Sequence, residues 1–301
     1  PAKTPGQIRL AWDRGVRFFA VDCVAELEKV ARLTGGAMRP VVRLAIPKGS
    51  GAVYDLSTKF GATPEVFETV LRRVRDLRQR EVRRRLPAAT FHVGSQCLDP
   101  RAFRLGMELA CAALDRAGVA IDWLDVGGGF PAYYRLTQAP PLEAYFQVIR
   151  EAHAELTEPR GIRLGCEPGR ALMAEGRSLL ARVNLRKPDS IYLNDGIFGG
   201  LTETYWGKDQ LLPPFRLLGP DGALKDGPAG SFTAFGPTCD GNDKLPWPLD
   251  LPADVAEGDY VEFNLMGAYG REMAARYNGM HSDRVAVIHA DFAGHQGMES
   301  F

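Results

Sequence analysis

The sequence has 301 residues, a length that allows a large hydrophobic core and usually two domains. Its 37 Lys and Arg residues balance its 37 Asp and Glu residues, so the net charge gives no reason to expect a nucleic acid or a membrane as partner. No apolar run approaches the roughly 20 residues that a membrane-spanning helix needs.

The cysteines and the first residue bear on the compartment and on the ends of the chain. We see no signal peptide, and because the first residue is Pro1 rather than Met, we expect the chain to begin inside a longer protein. The cysteines are odd in number and lack CxxC spacing, which predicts reduced thiols in a cytoplasmic protein. They are Cys23, Cys97, Cys111, Cys166 and Cys239.

The first part of the chain is predicted to alternate helices with strands. Predicted helices cover residues 5–14, 25–33, 64–86, 100–117 and 142–156, the first of them with a capping box at Thr4 and Gln7. Predicted strands cover residues 17–21, 40–46, 89–93, 121–126 and 162–166. This alternation indicates an α/β domain with a parallel sheet.

After about residue 171, short strand candidates separated by Gly, Pro and Asp replace the alternation. They are Arg177–Lys187, Ile191–Leu193, Phe215–Leu218, Ser231–Phe235, Tyr260–Asn264 and Val285–His289. We therefore predict two domains, residues 1–171 and a mostly β domain over residues 172–301.

Three distinctive motifs follow predicted strands, and the carboxyl ends of parallel strands are where ligands bind in such architectures. The last is Glu167-Pro168-Gly169-Arg170, in which the carboxylate could hold a proton on a heteroaromatic nitrogen and the guanidinium could bind a phosphate. A structural turn with a salt bridge is an equal reading of those four residues. The other motifs are Phe91–Ser95, which contains His92, and Asp125–Phe130, which contains Gly127, Gly128 and Gly129.

Each feature has a plainer interpretation when taken alone. Three glycines can form an anion-binding nest but more often form a turn, and His92 alone would more often be a buried core histidine. Because three such motifs end consecutive strands, we predict a shared anionic ligand.

These motifs belong to a larger set that resembles the group IV pyridoxal-phosphate (PLP) decarboxylases, the alanine-racemase-like fold type that includes ornithine, lysine and diaminopimelate decarboxylases. The ornithine branch fits best, because Gly-Pro-Thr-Cys-Asp resembles its version of that motif. The resemblance implies a (β/α)8 TIM-like barrel followed by a mostly β domain, with PLP as cofactor. Since five barrel strands are predicted, the barrel is expected to be incomplete, with its first strands missing. The motifs are Leu56–Gly61, Phe91–Ser95, Leu124–Phe130, Glu167–Arg170, Gly236–Asp240 and Met266–Tyr269.

The resemblance also implies roles for individual residues around the cofactor. His92 would stack on the ring, Glu167 would pair with the pyridine nitrogen, and Arg43 would lie nearby. The phosphate would be bound by Ser95, Gly127, Gly128, Gly129, Arg170 and Tyr269, with Gly169 in the same motif as Arg170.

The resemblance places Cys239 and Asp240 in the active site of a neighbouring subunit, so a head-to-tail homodimer is expected. Cys239 would return a proton to the substrate, and Asp240 would pair with the distal ammonium of a basic amino acid. Lys59 and Asp243 resemble a charged pair across that interface, although Lys59 could also be a solvated loop lysine.

Two positions depart from the family pattern. The family links PLP to a lysine in a Tyr-Ala-Val-Lys-like motif that this sequence lacks, and Lys48 does not match its position, so this chain should not hold PLP covalently. Gly207 stands where the family places an Asp that contacts the distal amine, and Glu203 and Asp209 are the nearest carboxylates.

The predicted function is decarboxylation of a basic amino acid, with L-ornithine giving putrescine as the favoured reaction. Lysine and diaminopimelate remain alternative substrates. A non-catalytic homologue that binds partners through the same surface is the alternative of a different class.

Overall fold

The computed structural model describes residues 2–47, 51–78, 86–282 and 284–288. Lys48 and residues 79–85 of the predicted helix lie outside these residues, and residue 86, its predicted end, is not helical. The chain divides into two units, the first comprising Pro1–Leu179, Gly207–Phe215 and Phe263–Ala268, and the second Leu180–Trp206, Arg216–Glu262 and Tyr269–Phe301. The predicted division into two continuous domains, 1–171 and 172–301, stays a prediction.

Strands and helices alternate in the first unit, and each of the five predicted strands is present within two residues at either end. The elements are α1 Pro5–Asp13, β1 Phe18–Val21, α2 Val24–Leu33, β2 Arg39–Ala45, β3 Ala52–Tyr54, α3 Pro64–Arg78, β4 Ala88–His92, β5 Ser95–Cys97, α4 Arg101–Ala117, β6 Trp123–Asp125, α5 Leu142–Ala152, β7 Arg163–Gly165 and α6 Gly169–Met173. A turn of π-helix (His153–Thr157) and a 3₁₀ turn (Glu158–Arg160) follow α5. The predicted capping box at Thr4 is confirmed.

Five parallel strands form the main sheet of the first unit in the order β1-β2-β4-β6-β7. Each strand of the main sheet lies next to the one that precedes it, which is the winding of a (β/α)8 barrel rather than of a doubly wound sheet. The predicted barrel fold is thus confirmed, with five of its parallel strands among the described residues.

The core lies between this sheet and its helices. Val42 and Leu44 alternate along β2 with Arg43, so that the two aliphatic side chains face the helices and the arginine faces the other side. On α3, Phe67 and Leu71 are fully buried at i, i+4 spacing, as an amphipathic helix requires. The sheet therefore uses one face for stability, which leaves the other face and the strand ends for polar residues.

A short antiparallel pair, β3 with β5, was not predicted. It aligns Tyr54 with Ser95 across the ladder. Gly94, just before β5, has φ +100°, and a Cβ there would lie 2.6 Å from the carbonyl oxygen of Tyr54. Glycine is required where Gly94 approaches the Tyr54 carbonyl so closely. This close approach holds Ser95 directly beyond the end of β4.

The second unit is mostly β, as predicted. Its elements, some of which extend into the first unit, are β8 Leu179–Lys187, β9 Ser190–Leu193, α7 Thr202–Gly207, β10 Phe215–Leu218, β11 Ala229–Phe235, β12 Leu249–Pro252, β13 Tyr260–Phe263 and α8 Gly270–Met273.

The strands of the second unit form one sheet in the order β10-β13-β8-β9-β11-β12. β9 pairs antiparallel with β8 and parallel with β11, so the sheet is mixed. Strand β12 was not predicted. The predicted strand at 285–289 is wrong for residues 285–288, which carry no strand, while residue 289 lies outside the described part of the chain.

Within the described residues, we find no helix with the length and apolar character that crossing a bilayer would require.

Candidate active site

Four charged or titratable side chains meet at the carboxyl ends of adjacent strands in the first unit. The register places Arg43 of β2 beside Thr90 of β4, and Thr90 beside Asp125 at the end of β6. His92 ends β4, and Glu167 follows β7 by two residues. The sheet thus brings together Arg43, His92 and Glu167, and it adds Asp125, which the sequence had not singled out.

Arg43 is the cation of this strand-end group. Partial burial lowers its pKa, while the negative charges of Glu167, Asp22 and Asp125 oppose that effect. Three carboxylates therefore lie close enough to affect the pKa of one guanidinium. Asp22 was not predicted, because it stands alone at a strand end, and Asp125 was predicted only as the first residue of the glycine motif.

Glu167 lies at an exposed position, yet neighbouring atoms partly desolvate its carboxyl group. This desolvation, together with the charge of Asp125, raises the pKa of Glu167, and Arg43 only partly offsets the rise. The pKa of Asp125 is raised by the same kind of burial, although its Oδ1 accepts a hydrogen bond from the Gly127 N–H at 2.8 Å. Desolvation therefore disfavours the charged form of both carboxylates, and a cation opposite them would stabilise that form.

His92 is neutral in this setting. Burial, and then the charge of Arg43, lower its pKa to about 4. Its Nδ1 accepts a hydrogen bond from the Gly94 N–H at 3.0 Å, which places the ring proton on Nε2. An uncharged, fixed imidazole suits packing against a flat ring, which is the role that the resemblance implies.

The glycine run brings the strand ends close to one another. A Cβ on Gly128 would lie 2.6 Å from the Glu167 carbonyl oxygen and 2.9 Å from His92 Nε2. Gly127 and Gly129 have φ +70° and +112°, and their Cβ atoms would overlap backbone oxygens. These close approaches account for at least part of the glycine run. The Gly127 N–H, moreover, already donates to Asp125. Its phosphate-binding role stays a prediction.

Arg170 lies in α6 with only 4% of its surface exposed. Its Nη1 donates to the Tyr134 hydroxyl at 2.8 Å, and its Nε and Nη2 donate to Ser95 Oγ at 3.3 and 3.2 Å. These bonds hold a guanidinium rigidly beside a serine hydroxyl, which is an arrangement that suits a phosphate. Gly169, the preceding residue, donates its N–H to the Glu167 carbonyl at 2.8 Å. Tyr134 was not predicted, because it follows the glycine motif in a segment without regular structure.

Cys239 and Asp240 lie in the second unit, on the loop that follows β11, where Cys239 is exposed and Asp240 is half-buried. Cys239 Sγ accepts a hydrogen bond from Asn278 Nδ2 at 3.0 Å, and Asp240 Oδ2 accepts one from the Tyr277 hydroxyl at 3.3 Å. A cavity of about 500 Å³ in the same unit is lined by both residues together with Tyr192.

The other predicted positions in the second unit are placed individually. Glu203 is buried in α7, with 6% exposed, and Tyr269 precedes α8 with a left-handed backbone, φ +64°. Asp243 is buried and accepts hydrogen bonds from the Ile197 N–H at 3.1 Å and from the Thr238 N–H at 3.0 Å. The pairing of Asp243 with Lys59 of another subunit stays a prediction.

Comparison with known proteins gives the family. Residues 1–174 match the family described as "Pyridoxal-dependent decarboxylase, pyridoxal binding domain". This match covers more than half of the chain, which therefore belongs to that family, and its cofactor is pyridoxal phosphate.

Individual relatives agree with the family match. The chain is 30% identical over 315 residues to ornithine decarboxylase of Cricetulus griseus, covering 96% of this chain and 65% of that protein. It is 29% identical to antizyme inhibitor 2 of Xenopus laevis, covering 95% of this chain and 64% of that one. The crystal structure of lysine/ornithine decarboxylase from Vibrio vulnificus complexed with cadaverine is similar with a TM-score of 0.76 and 27% identity, covering 94% of this chain and 74% of that chain. The chain thus spans slightly less than two thirds of the length of these two curated relatives.

The residues of the first unit fit pyridoxal phosphate at two of its groups. The carboxylates of Glu167 and Asp125 suit a protonated ring nitrogen, and Arg170 with Ser95 suits the phosphate. The covalent link has no counterpart among the motifs, since the Tyr-Ala-Val-Lys-like sequence is absent.

Proposed function

We propose that a polypeptide carrying these residues, together with the lysine to which the family links its cofactor, decarboxylates a basic amino acid. The observation that carries this proposal is the distribution of charge at one sheet edge, where Glu167 and Asp125 interact electrostatically with Arg43 and hydroxyl groups hold a buried Arg170. The proposal is supported by the 30% identity to an ornithine decarboxylase.

Pyridoxal phosphate, when bound, accepts the electron pair that the departing carboxylate leaves on the α-carbon. Glu167 contributes by stabilising a proton on the ring nitrogen. Its pKa is raised because its negative charge is desolvated and faces Asp125, so a cation placed opposite it regains favourable electrostatic energy. His92, neutral and held by Gly94, would limit ring movement without adding a competing charge.

Arg170 and Ser95 would bind the phosphate. The guanidinium loses little freedom on binding, because Tyr134 and Ser95 already hold it. Tyr269 would add a hydroxyl. We propose that Gly128 and Gly129 allow the backbone to approach the same group.

Cys239 and Asp240 would act on the substrate. The Cys239 thiol is exposed, as a proton donor to the α-carbon must be, and Asp240 offers a carboxylate to the distal ammonium. Following the family resemblance, we propose that these two residues serve the site of a second copy in a head-to-tail homodimer.

L-Ornithine, giving putrescine, is the favoured substrate, with lysine and diaminopimelate as alternatives. Glu203, near the position where the family has another carboxylate, would help to set the chain length of the substrate. The test is release of labelled CO2 from carboxyl-labelled ornithine, lysine, arginine and diaminopimelate by a polypeptide that contains these residues and the linking lysine. Absence of CO2 from all four would refute the activity.

A second function is favoured by one observation, that a relative is named as an inhibitor rather than a decarboxylase. In that case the chain would bind a protein partner without turnover. Glu167, Cys239 and Asp240 argue against this, because binding a partner requires no such set. The two functions are separated by the same CO2 assay.

A further inference from the structure

A short segment of the second unit, Ala275–Met280, packs against the loop that carries Cys239 and Asp240. Asn278 Nδ2 donates to Cys239 Sγ at 3.0 Å, and the Tyr277 hydroxyl donates to Asp240 Oδ2 at 3.3 Å. Tyr277 and Asn278 thus contact Asp240 and Cys239, the two residues that act on the substrate in the proposed function. Nothing in the sequence pattern had drawn attention to Tyr277.

The position of Tyr277 is fixed from its other side. Its ring stacks on Phe198 with centroids 4.5 Å apart and planes inclined by 26°. The Ala275 N–H donates to the Phe198 carbonyl at 2.8 Å, and the Met280 N–H donates to the Tyr277 carbonyl at 3.0 Å. These contacts restrict the phenol, so its hydroxyl can orient a neighbouring carboxylate.

The two oxygens of Asp240 receive different donors. Oδ1 accepts from the Asn242 N–H at 2.8 Å and from Asn242 Nδ2 at 3.0 Å. Among the contacts of the described residues, Oδ2 accepts from the Tyr277 hydroxyl. A carboxylate oxygen has two lone-pair sites. Both lone-pair sites of Oδ1 accept hydrogen bonds from Asn242. Oδ2 accepts one from Tyr277, so its second lone-pair site can accept another hydrogen bond in a direction that Tyr277 sets.

We propose that Tyr277 is a specificity-determining positioning residue, which fixes Asp240 so that Oδ2 accepts a hydrogen bond from the distal ammonium of a diamino acid. This inference rests on the proposed function, because it assigns Asp240 to that ammonium. It extends that function by naming the residue that makes the site prefer a dibasic substrate over an apolar one of the same length.

The test compares L-ornithine with L-norvaline, which has the same carbon chain without the distal ammonium. Tyr277→Phe keeps the ring and its stacking on Phe198 but removes the hydroxyl. We expect the KM for ornithine to rise about two- to tenfold, the range for loss of one hydrogen bond, with kcat changed much less. The kcat/KM for norvaline should be unchanged. Tyr260→Phe, which removes a phenol from β13, is the matched control.

A structural role for Tyr277 would lower kcat/KM for both substrates equally, and that result would overturn the inference. A readout without turnover is the titration of the Tyr277 phenol, followed by NMR of tyrosine labelled at Cζ and assigned by its loss in Tyr277→Phe. The pKa of this phenol is raised by Asp240 and, to a smaller extent, by Cys239, so Asp240→Asn should make it titrate at a lower pH.

The two readouts separate the inference from the function on which it rests. If the unsubstituted polypeptide that contains these residues and the linking lysine releases no CO2 from any amino acid, both the function and the selectivity fail. If it releases CO2 from ornithine while Asp240→Asn leaves the phenol titration unmoved, the function stands and the role of Tyr277 is overturned.

Discussion

Replacement of Arg170 is the most direct test of the strand-end site. The residue is 4% exposed, and its guanidinium is bonded to two hydroxyls, those of Ser95 and Tyr134, at 2.8 to 3.3 Å. Arg170→Met removes both the charge and the fork of donors, whereas Arg170→Lys keeps the charge alone. The two variants therefore divide the contribution of Arg170 into charge and geometry.

The expected magnitude follows from the type of bond. A hydrogen bond to a charged group contributes about 1.5–3 kcal/mol, and about 1.4 kcal/mol corresponds to tenfold in affinity. An arginine that offers two such bonds to a phosphate therefore contributes at least about 3 kcal/mol. We expect Arg170→Met to weaken phosphate binding roughly 100-fold or more, and Arg170→Lys about tenfold.

The assay compares pyridoxine 5′-phosphate with pyridoxine, measured by calorimetry on the 301-residue chain. Both ligands lack the aldehyde, so neither reacts with surface lysines. In the unchanged chain the phosphate should increase affinity strongly, and in Arg170→Met most of that increase should disappear. Arg163→Lys, at the far end of β7, is the control. If the ratio of the two affinities were the same in Arg170→Met as in the unchanged chain, with circular dichroism showing both folded, Arg170 would not bind the phosphate.

Three further outcomes follow from the same site. Glu167→Gln mimics the neutral carboxyl. Because the pKa of Glu167 is raised in the folded state, its contribution to stability is present below the ordinary carboxyl pKa and is lost as pH rises through the folded value. In urea unfolding, Glu167→Gln should therefore raise the free energy of unfolding, relative to the unchanged chain, more at pH 7.5 than at pH 4. A variant that is less stable than the unchanged chain at pH 7.5 would contradict the assignment. Gly128→Ala should cost about 1–3 kcal/mol of unfolding free energy through backbone overlap, while Gly176→Ala, with open space around it, should cost less than half as much; equal costs would contradict the packing account. Cys239→Ala should lower kcat of the assembled enzyme about 10²- to 10⁴-fold with cofactor absorbance retained, while the exposed Cys23→Ala should not; unchanged turnover would remove Cys239 from the mechanism.

The main sheet could be predicted because apolar residues recur at different spacings in its strands and in the helices that connect them. In α3 and α4 the apolar residues recur at helical spacing, while β2 and β4 are short and largely apolar segments. Strand β12, Leu249–Pro252, was missed because it is short and ends in proline. Residues 285–288 have the composition of a strand but form none, since β structure depends on a pairing partner that local sequence does not reveal.

The site was predictable only where residues are adjacent in sequence or form a familiar motif. Glu167 and Arg170 share one turn and were found together. Asp22 and Asp125 act on Arg43 through space from other strand ends, and Tyr134 reaches Arg170 across 36 positions of sequence. Such contacts are created by the sheet itself, so no spacing rule could have indicated them.

The charges of the first unit favour a particular kind of ligand. Glu167 and Asp125 both have raised pKa values, which means that their negative charge is poorly compensated even with Arg43 nearby. Arg170, by contrast, is a buried cation bonded to neutral hydroxyls. A purely anionic ligand would gain at Arg170 but would be repelled by the carboxylates, and a purely cationic one would meet the reverse. A molecule with a protonated ring nitrogen at one end and a phosphate at the other suits both, because its cationic end would face the carboxylates and its anionic end would face the guanidinium.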